Sequence, residues 1–231
     1  MENKDSNITN NGIGLETNIL KFLTSDQKDQ IRKNQFAVDF NKGENIFKQG
    51  APMSHIIVIT QGMAKMYLEG VNNKNILLHI MKSGQIVGGP GFFTDYKHHF
   101  SLTAIENTTA NFIEVDEFKN LILKNAEFGL NLIAYLNRAH INIYDKIKIN
   151  THKQMNGRIA NTLLYLSDKI YENDNFNTTL TRQDMADLSS MTKESAIRIL
   201  KDFKNSGIIT CKNNYFEINN KIALRGILES G

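Results

Sequence analysis

The chain has 231 residues, 41% of them hydrophobic and 22% charged, and a net charge of +3. That length allows one large domain or two ordinary ones, each with its own core, and so small a charge cannot by itself identify a nucleic-acid binder. The single cysteine, Cys211, excludes an intrachain disulfide and any metal centre built from several thiolates. No apolar run approaches the about eighteen residues of a membrane span, and the start, MENKDSNITNNG, lacks a cationic-then-apolar leader, so a cytoplasmic protein without a membrane partner is expected.

Residues 1–14 are polar and Asn-rich and read as a disordered tail. Residues 15–115 read as a β-rich domain. Its short β-prone stretches (56–59, 63–68, 76–81 and 110–115) are separated by Gly43, Gly50, Gly62, Gly70 and Gly84, the pattern of a small antiparallel barrel or sandwich. Residues 116–150 contain no Pro and one Gly, and their apolar residues return at helical spacing, so one long helix is expected there. Ile133, Leu136, His140, Ile143 and Ile147 step by threes and fours, the seam of a two-stranded coiled coil, which predicts a homodimer. The alternative is a helix lying on its own domain.

The most specific pattern lies in residues 151–231. Thr181 caps one short helix, Ser189-Ser190-Met191 make a turn, and Thr192 caps a second helix over 192–204. Ala196, Ile199, Leu200 and Phe203 share one face of that helix and Lys193, Glu194, Ile197 and Arg198 the other. Lys193 and Arg198 can donate to guanine, Glu194 can accept from cytosine and Ile197 can touch a thymine methyl. Residues 207–218 read as two strands around Asn213-Asn214, a wing. Arg182, Thr192, Lys201, Lys204 and Lys212 complete a DNA-binding set with phosphate-reaching groups. A surface ion pair between Glu194 and Arg198, four apart, is the competing explanation.

Over nearly its whole length the sequence resembles the CRP/FNR family of bacterial regulators. The resemblance rests on the segment from Phe40 to Gly50, on Ile56 to Gly62, on Gly157 to Leu164 and above all on Thr181 to Leu200. It implies an α+β protein with an N-terminal antiparallel β-roll of the jelly-roll type, a long dimerisation helix and a C-terminal winged helix-turn-helix. It also implies a non-enzymatic, dimeric transcription regulator that binds double-stranded DNA at an inverted repeat, with RNA polymerase as partner if it activates. Lys193, Glu194 and Arg198 fall on the family's base-contacting positions, with Lys193 standing where the family's cyclic-AMP receptor has Arg. Ser190 replaces the Gly frequent in such turns.

The implied ligand pocket departs from the family's cyclic-nucleotide pattern. Gly88-Gly89-Pro90-Gly91-Phe92-Phe93 carries Gly89 in place of the ribose-binding Glu, and the His98-His99-Phe100-Ser101 stretch has no phosphate-binding Arg. A buried anion without a charge-assisted partner is poorly held, so cyclic AMP is not expected as effector and no cofactor is predicted. The residues expected around this pocket are His79, Gly88, Gly89, Phe92, His98, His99, Ile143 and Tyr144. Of the six histidines, a seam pair of His140 could sense pH or bind a metal or haem; the alternative makes His140 a polar seam residue and His98-His99 a solvated loop. Two other classes compete: a cupin-like metalloenzyme, which needs a His and carboxylate cluster on adjacent strands, and a cyclic-nucleotide or other small-ligand module without DNA activity, against which the helix-turn-helix argues.

Overall fold

The structure, a computed structural model, describes residues 19–71 and 74–230; the segment 1–14, expected to be a tail, lies outside them. A short 3-10 turn, Leu20–Phe22, precedes α1 (Ser25–Asn34), which opens on a reciprocal cap between Thr24 and Gln27. Eight strands follow: β1 (Phe36–Phe40), β2 (Asn45–Phe47), β3 (His55–Gln61), β4 (Met63–Leu68), β5 (Ile76–Lys82), β6 (Ile86–Val87), β7 (Ser101–Ala104) and β8 (Thr108–Glu114). They form two four-stranded antiparallel sheets, ordered β1-β8-β3-β6 and β2-β7-β4-β5, the roll anticipated from the glycine punctuation. At Gly62, between β3 and β4, the backbone has φ +78° and a Cβ would stand 2.3 Å from the Asn107 carbonyl oxygen, so only glycine fits that turn. Between the sheets Phe47, Ile57, Ile59, Met81, Val87, Phe100 and Leu102 form one buried cluster.

The single helix expected over 116–150 is two helices, α2 (Val115–Lys124) and α3 (Ala126–His152). The break is at Asn125, whose extended backbone (φ −138°, ψ 92°) leaves the helical region. Its side-chain oxygen caps α3 by accepting from Phe128 N–H, and its amide donates to the Phe22 carbonyl and to Gln27. Asn125 therefore ends one helix, starts the next and ties both to the N-terminal turn.

The C-terminal unit holds α4 (Met155–Tyr165), a π-helical turn (Leu166–Ile170), β9 (Asn175–Asn177), α5 (Arg182–Leu188), α6 (Lys193–Asn205), β10 (Ile209–Lys212), β11 (Tyr215–Ile218) and α7 (Lys221–Ser230). The expected two-stranded wing is a three-stranded antiparallel sheet, β10-β11-β9, and α7 is an addition after it. The unit's core, including Leu163, Met185, Leu188, Ile199, Phe203 and Phe216, is continuous with Leu77, Ile80 and Ile105 of the roll. Among the described residues no helix is long and apolar enough to cross a membrane.

Candidate nucleic-acid interface

The reading unit is assembled by short-range hydrogen bonds. Asp184 N–H donates to Thr181 Oγ1 at 3.1 Å and Thr181 N–H returns to Asp184 Oδ2 at 2.8 Å, a closed cap on α5. Between α5 and α6 the chain turns at Ser190, whose φ of +48° is the left-handed conformation that explains why glycine is frequent there. The cost is offset locally: Arg158 donates to the Ser190 carbonyl at 2.9 Å, the Thr162 and Ser189 hydroxyls share a hydrogen bond of 2.7 Å, and the Asn150 amide donates to Ser190 Oγ at 2.7 Å. Arg158, Asn150 and Thr162 thus shape the turn. Only Arg158 and Thr162 stood in a segment that drew notice, and neither signalled this role, because their partners are distant in sequence.

Thr192 caps α6 by accepting from Ser195 N–H at 3.2 Å. Ala196, Ile199, Leu200 and Phe203 are buried, while Lys193, Glu194, Ile197, Arg198, Lys201 and Lys204 are exposed, as the helical spacing requires. No ion pair joins Glu194 to Arg198, so both side chains are available to another molecule. Lys212 is exposed on the wing. Arg182 differs from the rest of the set. It lies over Phe216, 4.7 Å from the ring centroid, and donates to the Asn213 carbonyl at 2.6 Å, which welds α5 to the wing turn. Burial lowers its pKa from the usual arginine value.

The pocket residues are only partly brought together. Phe92 and His98 are buried and Gly88 and Gly89 half-buried, and a side chain at Gly89 would begin 3.0 Å from Phe100 Cε1 and 3.7 Å from Met53 Cε. Leu136 covers Gly88 from α3. His98 is stacked on Phe47 with centroids 3.6 Å apart, and its Nδ1 is buried without a hydrogen-bond partner; burial pushes its pKa down to about 4. Neither Gly89 nor the stretch from His98 to Ser101 carries a carboxylate or a guanidinium.

The other four expected pocket residues are not grouped with them. His79 faces the C-terminal unit, with Nδ1 3.1 Å from Tyr165 Oη, and its pKa falls to about 4 through burial first and the Lys146 charge second. His99 is on the surface, 3.1 Å from the Asp95 carboxylate. Tyr144 is exposed on the outer side of α3, and Ile143 is half-buried. Among the described residues no cluster of three His, Cys, Asp or Glu side chains could hold a metal ion.

The residues of the expected seam differ in exposure. Leu136 packs on the roll's core, Ile143 is half-buried, and His140 is exposed. The exposed apolar row runs through Leu130, Ile133, Ile141, Tyr144 and Ile147, rotated around α3 from the row read in the sequence, with Ile133 and Ile147 common to both.

Two families match successive parts of the chain. The cyclic nucleotide-binding domain family matches residues 37–125, and the Crp-like helix-turn-helix domain family matches residues 157–227; together they cover more than half of it. The chain belongs to the CRP/FNR family. Among similar proteins, a CRP-like cAMP-activated global transcriptional regulator of Mycobacterium tuberculosis is 25% identical over 183 residues, 78% of this chain and 82% of the relative. A fumarate and nitrate reduction regulatory protein of Yersinia pestis is 24% identical over 203 residues, 86% and 80%. FixK2 from Bradyrhizobium japonicum superposes with a TM-score of 0.77 at 16% identity, over 84% of this chain and 96% of that one. The c-di-GMP responsive regulator CLP of Xanthomonas campestris does so with a TM-score of 0.72 at 17%, over 84% and 99%. This CRP/FNR chain is thus a transcription regulator built from a cyclic-nucleotide-binding type of roll and a DNA-binding helix-turn-helix.

Proposed function

We propose that this regulator is a homodimer that reads an inverted repeat in double-stranded DNA through α6 and does not take cyclic AMP as its effector. The observation that carries the reading is the row Lys193, Glu194, Ile197 and Arg198, exposed and free of internal ion pairs on the face of α6 opposite its buried residues. Lys201, Lys204 and Lys212 supply sequence-independent attraction to phosphates. The apolar row from Leu130 to Ile147 suits pairing of α3 with a second copy, which would place two reading helices about one helical turn of DNA apart.

The contacts of Phe100 and Met53 beside Gly89 support a regulator that works without a cyclic nucleotide. If it activates, RNA polymerase is its partner. Selection of bound duplexes from a random pool tests the reading: an inverted repeat with at least one G·C pair in each half-site is expected, and an asymmetric consensus would overturn it. Calorimetry with cyclic AMP tests the sensor. Micromolar binding accompanied by tighter DNA binding would overturn the second part.

A further inference from the structure

The roll and the reading unit are joined by more than the end of α3. On β4, Lys65 reaches the Asp184 carboxylate at 2.5 Å; Asp184 is only 4% exposed and belongs to the cap of α5. From α3, Lys146 donates to the Leu188 carbonyl at 2.8 Å and Asn150 to Ser190 Oγ at 2.7 Å. The first helix of the reading unit is therefore gripped at both ends, at its cap by a sensor strand and at its turn by the long helix. Around these grips Ile80 N–H donates to Tyr165 Oη at 3.0 Å, Lys82 pairs with Glu172 at 2.6 Å, and Leu77 and Ile80 share a buried cluster with Met185 and Leu188.

We propose that Lys65, Lys146 and Asn150 are positioning residues for DNA recognition, fixing α6 relative to α3 so that paired half-sites are met at a set spacing without a bound effector. The inference rests on the DNA-reading function proposed above. Two features support it. While all three grips are made, Lys193, Glu194, Ile197 and Arg198 stay exposed, so the grips do not compete with DNA for the reading face. The rod that supplies two of the grips also bears the exposed apolar row, so the angle they fix is measured from the face a second copy would cover. Phe100 and Met53 lie against Gly89, and the ordering of the two halves comes from contacts within the chain.

The test uses the full chain and the duplex selected by it. Anisotropy titrations of the unmodified protein, Lys65→Met, Asn150→Ala and Lys65→Arg are run on the full repeat, on a repeat widened by about two base pairs, and on a single half-site. Lys65→Met removes an ion pair and Asn150→Ala an uncharged bond, so agreement between them separates positioning from a simple charge effect. The expected result for both is about tenfold weaker binding to the full repeat, with discrimination against the widened repeat lost and single half-site affinity within about twofold of the unmodified protein, while Lys65→Arg keeps the spacing preference. Full-repeat binding that is unchanged or tighter would overturn the proposal, as would half-site binding that falls in step, since that would make the grips part of the unit's fold alone. If the unmodified chain selects no sequence, the DNA-reading function fails and the proposal with it, a result distinct from a defect confined to the variants.

Discussion

The inside of the roll and the outer face of α6 treat polar side chains in opposite ways. In the roll, Gly89 lies against Phe100 and Met53 and His98 stacks on Phe47; burial favours the neutral form of that histidine. On α6, Lys193, Glu194 and Arg198 stand in water without internal ion pairs. The difference follows from desolvation: an unpaired charge costs several kcal/mol inside and almost nothing outside. A charge spared from internal pairing at the surface remains available for a base, whereas an unpartnered one inside would have to be removed.

The sharpest way to break this comparison is to empty the roll. Phe100→Ala is expected to lower the free energy of unfolding by about 3–5 kcal/mol in denaturant titrations, because it leaves a cavity among buried neighbours. A loss below about 1 kcal/mol would mean that the interior is loosely filled and still open to a ligand. On the opposite face, Arg198→Ala is expected to weaken binding to the selected duplex by about 1–3 kcal/mol and to relax preference at one base pair, with no shift in the unfolding midpoint. An unchanged base preference would remove Arg198 from the reading row.

Acid sharpens the contrast further. His79 and His98 have pKa values of about 4 in the folded chain, below the ordinary 6.5, so the unfolded chain takes up protons that the folded one refuses. Stability is complete above about pH 6.5 and falls as pH drops toward 4, by about 3 kcal/mol at most for each histidine. Denaturant midpoints measured across that range should decline, and His98→Leu should flatten part of the decline; a parallel curve for the variant would contradict the buried, neutral assignment. The smallest effect is expected for Lys204→Ala. It should weaken all duplexes alike and reduce the slope of log affinity against log salt by about one.

Much of this was legible in the sequence where the cause is local. Thr181, Thr192 and the apolar spacing of Ala196, Ile199, Leu200 and Phe203 define the two helices and their faces because a cap and its target lie three residues apart. Asn125 breaks the long helix through a carbonyl that belongs to Phe22, and no periodicity carries that information. His79, expected near the pocket, meets Tyr165, 86 residues on, and nothing local in the sequence marks so distant a partner. On α3 two apolar faces coexist, one on the roll through Leu132 and Leu136 and one facing out through Leu130, Ile141 and Tyr144, and the three-and-four spacing of the expected seam draws on both. Arg182 read as a phosphate contact because its partner, the Asn213 carbonyl, lies across the wing.

The break at Asn125 turns α3 into a lever. Its 27 residues make a rod about 40 Å long, anchored at one end by the N-terminal turn and gripping the reading unit near the other. A tilt of about 5° at Asn125 would carry the far end by about 3–4 Å, close to the 3.4 Å rise of one base-pair step. The joint and the load sit at opposite ends of a single stiff element, so the spacing of the DNA site is set by leverage as much as by the side chains that touch it.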